Sequence, residues 1–148
     1  MNDKTDNPYQ TGGGNTDALP ASSRKWIDKG RWDEASRTLL AAMETDPDNL
    51  DILRDFARVQ LYRREYISAL QTFDRLIGSG RANAADYSDT GDALTDVGEY
   101  AQAVDTYRRS LELLPNDAKT LHNLARVLYR LGQTDQAACH LKQCALSA

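Results

Sequence analysis

Residues Ala84 to Asp117 read AADYSDTGDALTDVGEYAQAVDTYRRSLELLPND. Two apolar sets flank Gly98–Glu99. The first is Tyr87, Gly91, Ala93, Leu94 and Val97, and the second is Tyr100, Ala103, Val104, Tyr107, Leu111 and Leu114. Spacings of three and four residues place each set on one face of a helix. Gly98 suits the left-handed position that ends a helix, and Pro115 stops the second one. The stretch therefore reads as an antiparallel helix pair 34 residues long.

Steps of 34 residues bring the rest of the chain into line with it. Gly30, Arg64, Gly98 and Gly132 share one column; Trp32, Tyr66, Tyr100 and Thr134 share another. Ala35, Ala69, Ala103 and Ala137 align, as do Leu39, Phe73, Tyr107 and Leu141, and Ala42, Leu76, Ser110 and Cys144. Pro47, Arg81 and Pro115 form the stop column. Several columns at one fixed period are the signature of a repeat array.

The pattern resembles the tetratricopeptide repeat (TPR). The third repeat carries the resemblance best, through Tyr87, Gly91, Gly98, Tyr100, Ala103, Tyr107 and Pro115. The fourth matches through Leu121, Leu124, Ala125, Gly132, Ala137 and Leu141, and the second through Leu53, Phe56, Ala57, Tyr66, Ala69 and Phe73. The first departs from it in helix A, where Ser22 and Ser23 occupy the Leu–Gly positions. The resemblance implies an all-α fold: a right-handed superhelical solenoid of four tandem helix-turn-helix units, eight helices in all. The expected repeats cover about 16–49, 50–83, 84–117 and 118–148, giving a repeat domain over 18–148. Residues 1–17, rich in Asn, Asp, Thr and Gly, read as a disordered tail, with Pro8–Tyr9 as a docking segment in the alternative.

Composition bounds the function. The net charge of −4 does not favour nucleic acid. No apolar run is long enough for a membrane span or a signal peptide, so a cytoplasmic location is the default expectation. Cys139 and Cys144 do not share a helix face, and with His122 and His140 they form no metal tetrad. His140 reads as a solvated helix residue. No motif suggests catalysis, a cofactor or a metal site. Asp89, Asp92 and Asp96 share a helix face, but successive helical turns do not wrap a cation as a loop does.

The resemblance implies protein–protein interaction through a concave groove lined by the first helix of each pair, the A helix. Groove candidates are Arg54, Arg58 and Tyr62 with Asp51 and Asp55 in repeat two; Asp89, Asp92 and Asp96 with Ala85 and Ser88 in repeat three; and Lys119, His122, Asn123, Arg126 and Arg130 in repeat four. The groove would run basic, acidic, basic. Repeat three carries eight acids against Arg108 and Arg109, whereas repeat four carries Lys119, Arg126, Arg130 and Lys142 against Asp135. These blocks would steer a complementary peptide, or satisfy one another, Asp92 with Arg126 on consecutive A helices. One TPR subtype clamps a C-terminal carboxylate with Lys, Asn, Asn, Lys and Arg. Here those positions hold Arg54, Arg58, Asp89, Lys119 and Asn123, so only Lys119 is identical and an acidic chaperone tail is not the expected ligand.

Four local features are also legible. Trp26 and Trp32 read as core-covering residues, Trp32 because of its column. Arg64 stands at a corner where Gly is expected, which costs energy if the residue is left-handed. The connector Gly78–Ser79–Gly80–Arg81 lacks Pro and is the expected irregular joint, and Asn83 with Asp86 resembles a capping arrangement. Leu124, Leu128, Leu131, Leu141 and Leu146 form a set that is expected to lack full cover. Three outcomes stay open for it: a longer parent chain, association with another copy or partner, or a frayed monomeric last helix. Self-association through terminal repeats is thus the alternative to groove binding.

Overall fold

The structure, a computed structural model, describes residues 18–147, so the expected tail and its Pro8–Tyr9 segment lie outside the described residues. Eight helices and no strand occur among the described residues: α1 (Ala18–Asp28), α2 (Trp32–Thr45), α3 (Leu50–Tyr62), α4 (Tyr66–Gly78), α5 (Ala84–Asp96), α6 (Tyr100–Leu113), α7 (Ala118–Arg130) and α8 (Thr134–Ser147). They form four successive helix pairs, as the period of 34 predicts.

The within-pair corners are made alike. Gly30, Arg64, Gly98 and Gly132 have φ of 67°, 62°, 87° and 78°. The next residue's N–H then reaches back to a carbonyl five residues earlier: Arg31 to Trp26, Glu65 to Gln60, Glu99 to Leu94 and Gln133 to Leu128, each at 2.9 Å. These bonds satisfy carbonyls left open at the helix end. Arg64 is the one non-Gly residue with positive φ among the described residues, so the expected strain at that corner is present.

The between-pair connectors differ. Asp46 (φ −143°, ψ 76°) and Leu114 (φ −139°, ψ 84°) end α2 and α6 in the same extended shape, immediately before Pro47 and Pro115. A following proline keeps the residue before it out of the helical region. The middle connector has no proline and turns differently. Ser79 Oγ donates to Leu76 O at 2.5 Å, accepts from Arg81 N at 3.2 Å, and Gly80 takes φ 73°. α5 then starts on the anticipated capping box: Asn83 Oδ1 accepts from Asp86 N at 2.9 Å, and Asp86 Oδ2 accepts from Asn83 N at 3.0 Å.

Two compact units divide inside α4, between Thr72 and Phe73. In the first, the core is Ala35, Leu39, Ala42, Ile52 and Val59, with Trp26 and Trp32 packed against it as expected, Trp32 from its column. In the second, α5 and α6 cross so closely that a Cβ on Gly91 would meet the Tyr107 ring at 2.5 Å. Ser110 Oγ ties the far end of this pair by donating to Ala84 O at 2.7 Å. The leucine set is better covered than expected. Leu124 and Leu128 are fully buried, because they sit on the side of α7 that faces the rest of its unit, whereas Leu131, Leu141 and Leu146 are exposed. His140 is not simply solvated either. Its Nδ1 is buried without a hydrogen-bond partner, and burial, then Arg108, lowers its pKa.

Candidate functional site

In the first unit the groove candidates lie on α3. Asn49 caps this helix, its Oδ1 accepting from Asp51 N and Ile52 N. Arg54 donates to Asp51 at 2.9 Å and is mostly covered. Arg58 is half-buried. Asp55 is not a groove residue but a seam residue. It is 6% exposed, lies 3.6 Å from Arg24 of α1, and its Oδ2 has no hydrogen-bond partner. Burial is the main influence and raises its pKa, against the opposing pull of Arg24. Tyr62 is exposed but held: it stacks on Trp32 with centroids 4.7 Å apart and planes 16° from parallel.

In the second unit Asp92 is the hub. One oxygen, Oδ1, accepts from Tyr107 Oη at 2.5 Å and from Asn123 Nδ2 at 2.9 Å. The other lies 3.6 Å from Lys119 Nζ, which is also 3.7 Å from Asp89. Asp92 thereby joins α5, α6 and α7. Burial first, and next the Asp92 charge, push the Tyr107 phenol far above its ordinary value of 10, so it stays a neutral donor. Beside this network Thr120 Oγ1 donates to Ser88 Oγ at 2.9 Å.

The sequence-level pairing of Asp92 with Arg126 is therefore corrected. The ion-pair partner of Asp92 among the described residues is Lys119, one residue into the first turn of α7 after Ala118, and Arg126 lies exposed two turns further on. The acidic block is also less available than its count suggests, because Asp89 and Asp92 are half-buried and engaged, while Asp96 is exposed. The cations of α7 are different. Lys119, His122, Arg126 and Arg130 are all exposed, with Arg130 donating to Tyr100 Oη at 3.1 Å.

α7 and α8 enclose an open groove with a cavity volume of about 600 Å³, in which Arg126, Tyr129 and Arg130 face Ala137, Ala138 and Leu141. Sequence reasoning missed this groove, the Tyr107 hydroxyl and the Trp32–Tyr62 stack. A signal for the seams was present: Arg24 to Asp55 and Asp92 to Asn123 are both separated by 31 residues, one repeat less a helical turn.

Paired helices of this length, a left-handed corner at each turn and side-chain rungs between successive A helices define an α-solenoid of the tetratricopeptide class, a class of protein-interaction modules. Residues 91–145 match the family model for the tetratricopeptide repeat, and the helix pairs have the fold of that family. It is 29% identical over 136 residues to anaphase-promoting complex subunit 7 of Mus musculus and of Homo sapiens. That match takes in 87% of this chain but 23% of those proteins, so the chain spans about a quarter of the relatives' length. A crystal structure of MamA superposes with TM-score 0.86 at 17% identity, over 93% of this chain and 81% of that one. MamA from Desulfovibrio magneticus RS-1, from residue 41 to its end, gives 0.84 at 16%, over 90% and 75%. At these identities the likeness is one of fold. No helix among the described residues is long and apolar enough to cross a membrane.

Proposed function

We propose that this chain is a protein-interaction module that holds an acidic peptide or partner helix on the A-helix face of its second unit. The observation that carries this reading is the asymmetry of charge there. Asp92 is satisfied from three sides, one of them the largely exposed Lys119, while His122, Arg126 and Arg130 stay at the surface of α7. A face on which Asp89 and Asp92 are engaged internally while Arg126 meets water attracts anionic ligands and speeds their encounter. In the first unit, the exposed Tyr62, fixed on Trp32, offers a rigid aromatic surface of the kind interfaces favour. The relatives named above as complex subunits support an interaction role for this length of solenoid.

Selection from a random peptide phage library tests the proposal. Acidic sequences are expected to be enriched, and Lys119→Glu together with Arg126→Glu is expected to abolish that enrichment. Enrichment of the same sequences by the doubly reversed protein would remove the reading.

A further inference from the structure

The groove between α7 and α8 repeats, one step of 34 residues later, the surface on which α7 itself is seated. His122, Arg126, Tyr129, Ala137 and Leu141 line the groove, and they stand in the columns of Ser88, Asp92, Thr95, Ala103 and Tyr107. Ser88 and Asp92 are residues that receive α7, through Thr120 and Asn123 at 2.9 Å each. The groove thus has the construction of a helix seat: small residues on α8 leave room, and polar residues on α7 fix the register.

Its charge is inverted. Where the seat of α7 presents Asp92 and Asp96, the groove presents Arg126 and Arg130. The chain itself shows what each sign receives. Asp92 takes a helix bringing Lys119 and Asn123. Arg24, two repeats before Asp92 in the same column, takes a helix bringing Asp55, at 3.6 Å. An arginine in this column is thus complemented by a carboxylate on the incoming helix.

We propose that the α7–α8 groove docks an amphipathic helix from a separate partner protein, with small apolar residues against Ala137, Ala138 and Leu141 and a carboxylate against Arg126. The partner's carboxylate stands where Asp55 stands on α3. A second copy of this chain fits less well. Its α1 carries Ala21 in the Asp55 column and has no acid in its first turn. This site goes beyond the A-helix face proposed above, since half of it is α8 and Lys119 lies outside it.

The probe is a fluorescein-labelled, helix-stapled peptide of residues 49–64 added in trans to the full chain, because it carries Asp55 in its natural register. Anisotropy titration is expected to show saturable binding. Arg126→Glu should weaken it about tenfold or more. Ala138→Arg, which fills the groove from an exposed position, should abolish it, and the Asp55→Arg peptide should regain affinity on Arg126→Glu. Lys119→Glu should leave the titration unchanged, because Lys119 lies outside the groove, whereas the A-helix face includes it, so the two readings fail separately. Circular dichroism checks that each variant stays helical. Four results overturn the proposal: no saturable binding, equal affinity for Arg126→Glu, weakening by Lys119→Glu, or a sedimentation dimer dissolved by Ala138→Arg, which makes a second copy the occupant.

Discussion

At the α1–α3 seam a carboxylate arrives on the incoming helix; at the α5–α7 seam it waits on the receiving one. Asp55 lies 3.6 Å from Arg24 and leaves one buried oxygen without a hydrogen bond. Asp92 has a phenol, an amide and an ammonium around it. Both are carboxylates between A helices. The first stays weakly compensated for its burial, whereas the second organises its surroundings. Placing an acid at a helix seam therefore does not by itself stabilise it; the number of donors it finds decides.

The comparison breaks most sharply at Asp92. Asp92→Ala removes the acceptor of a buried phenol and of Asn123, and we expect a loss of about 3 kcal/mol in urea unfolding. A loss under about 1 kcal/mol would show that the network adds little. Next comes the packing beneath it. Gly91→Ala drives a methyl into the Tyr107 ring, which is 1% exposed and tied through its hydroxyl, so about 2 kcal/mol should be lost. One repeat later the same two columns hold Ala125 and Leu141, where the larger residue faces the smaller partner.

Asp55→Asn should cost about 1 kcal/mol or less near pH 7, because the charge it removes is poorly compensated. Its pH dependence sharpens the contrast. The folded-state pKa of Asp55 lies above the ordinary 3.8, so the folded chain holds this proton more tightly than the unfolded one. As pH falls through that raised value toward 3.8, the group adds stability, and the Asn variant lacks the gain. Unfolding free energies of both proteins at pH 7 and pH 4 measure it, and parallel curves would contradict the raised value. The smallest effect is at the α3–α4 corner. Arg64→Gly relieves φ 62° but loosens the unfolded chain, so thermal unfolding should show a net gain of about 0.5 kcal/mol.

Backbone and packing were legible because they repeat. The corner at Gly98 explains those at Gly30, Arg64 and Gly132, and one apolar column predicts the next. The capping box at Asn83 was also readable, since its partners are three residues apart. The site was less so. Charge counts for repeat three implied an acidic surface, yet whether an acid is presented or consumed depends on side chains that meet across 31 residues, as Asp92 and Asn123 do. The Trp32–Tyr62 stack and the α7–α8 groove depend likewise on how helices from different repeats abut, which helix periodicity alone does not encode.

The capping box at Asn83 and the bond from Ser110 to Ala84 together close repeat three on itself at the point where its two helices part from the preceding connector. Both fasten residues within one hairpin, so neither waits for another repeat to arrive. Such short-range closure costs little chain entropy. We therefore expect the α5–α6 hairpin to form early and its amides to be among the slowest to exchange with solvent deuterium, which hydrogen exchange would show.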